Sequence, residues 1–428
     1  MARISRNLGP ALTVAALVLV LTGVRMASGQ QASSLPPGAA RQVVEQKCGV
    51  CHELGRILRS GYDRNGWREA VSRMVNVGAR LSPTERDQVT DYLAANFPSR
   101  GQPAVVALAG PVKVSFREWA VPTPGSRPHD PLATADGMVW YTGQMANLLG
   151  RVDPKTGEIR EFRLPKRDSG PHGLVEDAAG RIWFTANFAA YIGRLDPATG
   201  KVDEFPMPDP AARDPHTLRF DRQGIIWFTV QGGNRVGRLD PKTGEVRLVQ
   251  PPTPRSNPYG VAIDSQGAPY FDEFGSNKIG RIDPATMAIR EYPLPHADSR
   301  PRRIAVSPDD AVWYTDYARG FIGRLDPRTG KVDEWASPSG PLSQPYAIAA
   351  LGGAIWYVES NTAPNALVRF DPKTARFQTW PIPSGGGVVR NMDVTRDGGL
   401  ALAESGVNKI ALVKIDQGLS QSGRGSPW

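Results

Sequence analysis

The chain has 428 residues, with 51 Lys and Arg against 42 Asp and Glu, a formal net charge of +9, and only 2 cysteines. That length calls for more than one small domain, and two cysteines exclude a disulfide-rich scaffold. The basic surplus is spread along the chain rather than clustered in runs, so nucleic acid is not the expected partner; an acidic redox partner or an anionic surface is.

Arg3 and Arg6 precede an apolar run from Ala11 to Val24 and the small residues Ala27-Ser28-Gly29. This order is that of a secretory signal peptide over residues 1–29, because the run is shorter than the ~20 residues a membrane-spanning helix needs. The mature protein is expected to be exported, to the periplasm, with no membrane span.

Both cysteines fall in Cys48-Gly49-Val50-Cys51-His52. A redox dithiol, a zinc half-site and covalent haem attachment compete for such a motif. Zinc would want two more soft ligands, and no further cysteine exists. A dithiol motif would want a β-α-β setting, whereas the flanks here have helical patterning. Cys-x-x-Cys-His suits haem c: two thiols add to the porphyrin vinyls, and the adjoining His52 ligates the iron. Between Pro36 and Arg100 the one methionine is Met74, spaced with Trp67 and Val71 along one helical face. A thioether is a common partner of a proximal histidine in electron-carrying haem sites. With the closing stretch LSPTERDQVTDYLAANF, residues 36–100 resemble a small class I cytochrome c domain, which implies haem c held by Cys48, Cys51, His52 and Met74.

Residues 101–111, rich in Gly, Pro and Ala, are expected to be a linker. Beyond them PHGLVEDAAGRIWFTANFAAYIGRLDPATGKVDEFPMP, from Pro171 to Pro208, recurs. The second residue of each copy is His129, His172, His216, Tyr259, Arg302, Tyr346 and Arg390, at intervals of 43 or 44. Seven copies at that period predict seven propeller blades over residues 112–418, with a tail at 419–428. Each copy holds four short strands, and Asp-Pro-x-Thr-Gly closes the last hairpin. Met287 and Ala375 replace the turn glycine in two copies, where strain or a different turn is expected. The last copy lacks a fourth strand, while Phe116–Pro122 matches that strand's phrase, so this N-terminal strand is expected to complete the seventh blade. The fold class is therefore mainly β, a seven-bladed β-propeller preceded by a small all-α domain.

The residue that opens strand one and the residue that closes strand two approach the same face of the ring. The second set is Gly143, Ala186, Val230, Glu273, Asp316, Glu359 and Glu404. Three neighbouring blades thus supply histidine, and the next four supply carboxylates. His129, His172 and His216 are candidate catalytic bases or metal ligands, and the four acids are candidate ligands of a divalent cation in the channel. The tryptophans Trp140, Trp183, Trp227 and Trp313 are expected to pack between blades.

The phrases P-H-G-[LIV], W-F-T, x-I-G-R-[LI] and E-[FY]-x-[LM]-P resemble the streptogramin lyases, the virginiamycin B lyase family, from Val112 to about Ile415. That resemblance implies a seven-bladed propeller and ester opening of a cyclic depsipeptide by elimination, with a histidine base and magnesium. The family's motif joins the histidine and the acid in one blade; here no blade has both. Elimination also has no use for an electron carrier. The leading expectation is an exported electron-transfer protein or oxidoreductase acting on a redox partner or small-molecule substrate at the propeller face. A carbon-oxygen lyase and a non-catalytic propeller that docks the cytochrome to a redox partner are the alternatives. The sequence does not specify an oligomeric state.

Overall fold

The computed structural model describes residues 35–49, 54, 57–58, 60–76, 79–99 and 101–416. The proposed signal peptide, Cys51, His52 and the tail from 419 lie outside the described residues. No helix among them is long and apolar enough to cross a membrane.

The N-terminal part is helical. One turn, Val44–Cys48, is wound wide, with Gly49 N–H donating to the Val44 carbonyl at 3.3 Å. Two longer helices follow, Arg64–Asn76 and Pro83–Asn96. The second is capped as its sequence SPTE suggests: Ser82 Oγ accepts from Glu85 N–H while the Glu85 carboxylate accepts from Ser82 N–H. Trp67 is buried, and its indole N–H donates to the Phe97 carbonyl at 2.7 Å, which ties the two helices together.

Residues 113–416 form seven four-stranded antiparallel sheets. Six are made of consecutive strands. The seventh pairs Lys113–Ala120 with Lys409–Asp416 in unbroken register, from Lys113 opposite Asp416 to Ala120 opposite Lys409. The first strand of the propeller thus closes its last blade, and no blade is left with an open edge at the seam.

The repeat phrases have direct structural reasons. The tryptophans of strand two are 2 % exposed or less. Their indole N–H groups are satisfied locally, as where Trp183 and Trp227 donate to Asp177 and Asp221 at 2.8 Å. The glycine of x-I-G-R is a slot for the neighbouring aromatic: a Cβ on Gly193 would stand 2.1 Å from the Phe184 ring, and one on Gly323 2.1 Å from that of Tyr314. Met287 and Ala375 adopt φ of 61° and 53°, so their turns keep the glycine conformation and accept the strain.

Every inner strand carries a register shift at its start, between Pro128 and Pro131 in the first blade and at the equivalent place in the other six. Threonine of W-[FY]-T holds this bulge. Thr142 Oγ1 accepts from Asp130 N–H at 3.0 Å and donates to the His172 carbonyl of the next blade at 2.9 Å. Thr185, Thr229 and Thr315 repeat the clasp. In the fourth blade Asp272 stands in for threonine and accepts from Gly260 N–H at 2.7 Å. Its second oxygen is buried without a partner, and burial pushes the carboxyl up to about 8.

A carboxyl with a raised folded-state pKa contributes most to stability below its unfolded value near 4, and that contribution is lost as pH rises through about 8. Asp272→Thr, which restores a hydroxyl donor, is expected to flatten the fall in melting temperature between pH 5 and 8.5. Parallel pH profiles for wild type and variant would reject this account of the clasp.

Candidate functional site

Because the bulge turns two successive residues toward the axis, the channel has two layers of side chains where simple alternation would give one. The outer layer holds the seven residues that open the repeats. His129, His172, His216 and Tyr259 stack as neighbouring spokes, with ring centroids 3.8, 3.7 and 3.8 Å apart in that order. The Tyr259 hydroxyl meets that of Tyr346 across the axis. Arg302 stands between these phenols, its guanidinium 3.9 Å from the Tyr346 centroid and 4.1 Å from that of Tyr317.

The inner layer closes the channel. Arg303, 3 % exposed, reaches across to Asp130 at 2.8 Å and to Thr217 Oγ1 at 3.1 Å. The second Asp130 oxygen accepts from Asn391 Nδ2 at 2.9 Å. Asp130, Arg303 and Asn391 carry no phrase of the repeat, because each is the variable residue just after the opening position. Their signal in the sequence is the departure itself: aspartate, arginine and asparagine where the second blade has Gly173.

The three histidines predicted from sequence are brought together, as a buried stack. Burial, then the arginines and the other rings, pulls all three well below the ordinary imidazole pKa. They are neutral and weakly basic at pH 7. His129 Nδ1 faces Asp130 at 2.9 Å and His216 Nδ1 faces the Tyr259 carbonyl at 3.2 Å, so in both the proton belongs on Nδ1. His172 Nδ1 is buried without a partner.

The four acids are not brought together. Strand two lies one strand out from the axis, and each carboxylate turns toward its own blade or the loop that enters it. Glu273 accepts from Ser276 Oγ at 2.8 Å, Asp316 from Arg300 N–H at 3.0 Å and Arg319 at 3.2 Å, Glu359 from Ser337 and Ser339, and Glu404 from Ser384 at 2.9 Å. Burial, then the adjacent Glu291, pushes Glu273 up to about 8; burial, then Glu118, pushes Glu404 up to about 7. In this structure the four acids serve as loop anchors, and Arg302 and Arg390 stand at the axis without them.

Among the described residues one group of three metal-type donors, His129, Asp130 and His172, lies within 4.8 Å. Asp130 is already engaged by Arg303 and Asn391, and Arg390, Arg127 and Arg303 all act on His129. This set is a poor receptor for a divalent cation, since its one negative charge is spent and the surrounding field is positive.

In the N-terminal helical part, Cys48 is half-buried at the end of its wide turn and Met74 is half-buried on the face that also carries buried Trp67 and Val71. Residues 103–108 lie against the propeller rather than apart from it. Ala363 N–H donates to the Pro103 carbonyl at 3.0 Å, and Leu108 exchanges hydrogen bonds with Thr379 at 2.8 and 3.0 Å. Tyr317, at the channel mouth, is pushed up to about 12 by burial and, next in size, by Tyr62 from the helical part.

A seven-bladed propeller with an axial cluster built on P-H, W-F-T and I-G-R repeats defines a lyase-like propeller. Residues 110–275 and 252–422 match the Virginiamycin B lyase family, and the chain belongs to it. A streptogramin B lyase structure is 30 % identical, with a TM-score of 0.65, over 71 % of this chain and 98 % of that one. Virginiamycin B lyase from Staphylococcus aureus is 28 % identical, with a TM-score of 0.64, over 71 % and 99 %. A catalytically inactive variant of that enzyme, crystallised with quinupristin, gives 28 % and 0.65 over the same shares. No curated protein matches the chain.

The Arg303–Asp130 pair is buried on both sides. Asp130→Asn is expected to lower the free energy of unfolding by about 3–5 kcal/mol, because Arg303 keeps its charge without a counterion. Chemical denaturation would show this, and a loss below about 1 kcal/mol would mean that Arg303 finds water instead.

Proposed function

We propose that this family member is an exported c-type cytochrome whose propeller serves electron transfer or an oxidation–reduction at its axial face. The observation that carries the reading is Cys48-x-x-Cys51-His52 with Met74 downstream. Met74 suits a ligand's place because it is half-buried while its stripe neighbours Trp67 and Val71 are buried, so it borders a face rather than filling the core. Cys48 and Cys51 would hold the porphyrin, and His52 and Met74 the iron. When bound, the haem supplies one-electron chemistry.

A lyase reading is favoured by family membership and by coverage of 98 % of the streptogramin B lyase chain. Against it, none of the blades that carry histidine has an acid at the end of strand two, and burial lowers the basicity of all three histidines.

Protein made with a haem-maturation system should retain haem after denaturation and show a reversible one-electron wave; Cys48→Ser should lose most of the attached haem. Haem-free wild-type protein from that system would end the cytochrome reading. Ring opening of quinupristin by the wild type, lost on substitution of His172, would instead establish the lyase.

A further inference from the structure

The sign of the axial charge points to a ligand. Among the described residues, Arg302 and Arg390 have no ion-pair partner, and the Nε atoms of both are buried without a hydrogen-bond partner. Asp130 is consumed by Arg303 in the layer beneath, and Asp214 accepts from Asn187 in the opposite blades. Asp272 and Asp393 are both pushed up by burial, and the four strand-two acids are held by their own blades. The histidines add no negative charge. Two guanidinium groups thus stand around Tyr346 with phenols and no ion pair as neighbours.

Their exposure differs from that of the arginine below. Arg303 is buried, whereas Arg302 and Arg390 are half-buried, so their charge lies on the side of the channel that solvent reaches. The walls differ as well. Phe274 and Tyr317 stand beside Arg302, its guanidinium 4.9 and 4.1 Å from their ring centroids. Gln144 and Asn187 line the opposite blades.

We infer that the axial mouth is a binding site for a small carboxylate carried on a flat, apolar body, its oxygens met by Arg302 and Arg390 and its body laid against Phe274 and Tyr317. A guanidinium offers a planar fork of donors that matches a carboxylate, and in a half-buried site each charge-assisted bond outweighs its exposed equivalent. Stacking on Tyr346 and Tyr317 fixes the plane of Arg302 in advance, which lowers the ordering cost of binding. The site is defined by propeller residues alone, so it goes beyond the electron-transfer reading and stands apart from haem attachment.

Calorimetric titration of the full chain with benzoate, acetate and sulfate at pH 7 and low salt tests this, in wild type and Arg390→Gln. Benzoate should bind more tightly than acetate or sulfate, and Arg390→Gln should weaken it by about tenfold or more, the loss of one charge-assisted hydrogen bond, with the circular dichroism spectrum unchanged. Spectrophotometric titration gives a second readout. Burial alone would raise the Tyr346 phenol, but Arg302, Arg390 and Arg303 bring it down to about 8, and bound benzoate should move this ionisation upward. No binding by any of the three anions, or benzoate affinity equal in wild type and Arg390→Gln, would overturn the site. Sulfate tighter than benzoate would overturn the carboxylate assignment.

Discussion

A threonine hydroxyl that accepts from one blade and donates to the next is the interaction on which the channel depends. Thr142, Thr185, Thr229 and Thr315 each receive the N–H of the bulged residue and pass their own proton to the following blade's opening carbonyl. A hydroxyl is the smallest side-chain group that does both at once. The last two blades have Val358 and Ala403 at this place. There Ser360 and Ser405 donate to the carbonyls of Val389 and Pro128, so the ring is still tied at its seam.

The chemistry of the axis follows from that clasp. A regular strand would aim alternate residues at the channel, whereas the bulge aims two in succession. The outer layer thereby gains a stack of three imidazoles and a phenol, and the inner layer an arginine–aspartate plug. Burial keeps the histidines neutral, and the plug takes up Asp130, so Arg302 and Arg390 bring positive charge to the mouth. The same scaffold with a histidine and an acid in one blade would carry different chemistry, which is why family membership defines the architecture more firmly than the reaction.

The helical part is joined to this ring by more than a tether. Hydrogen bonds from residues 103–108 to the sixth blade hold the connecting segment along the propeller.

The sequence by itself determined the seven-fold period, the four strands per blade and the strand that closes the ring, because these are local patterns of turn residues and alternation repeated at constant spacing. It also made the three histidines legible as neighbours, since a closed ring converts register into proximity. Where the side chains at the ends of strand two would point was decided only in three dimensions. Glu273, Asp316, Glu359 and Glu404 share a register with the axial residues, yet a position one strand farther out and a serine or arginine within reach turn them into loop anchors. Asp130, Arg303 and Asn391 were hidden for the converse reason: alternation assigns them to the face away from the channel, and only the bulge brings them back to the axis, where charges from blades far apart in the chain can meet.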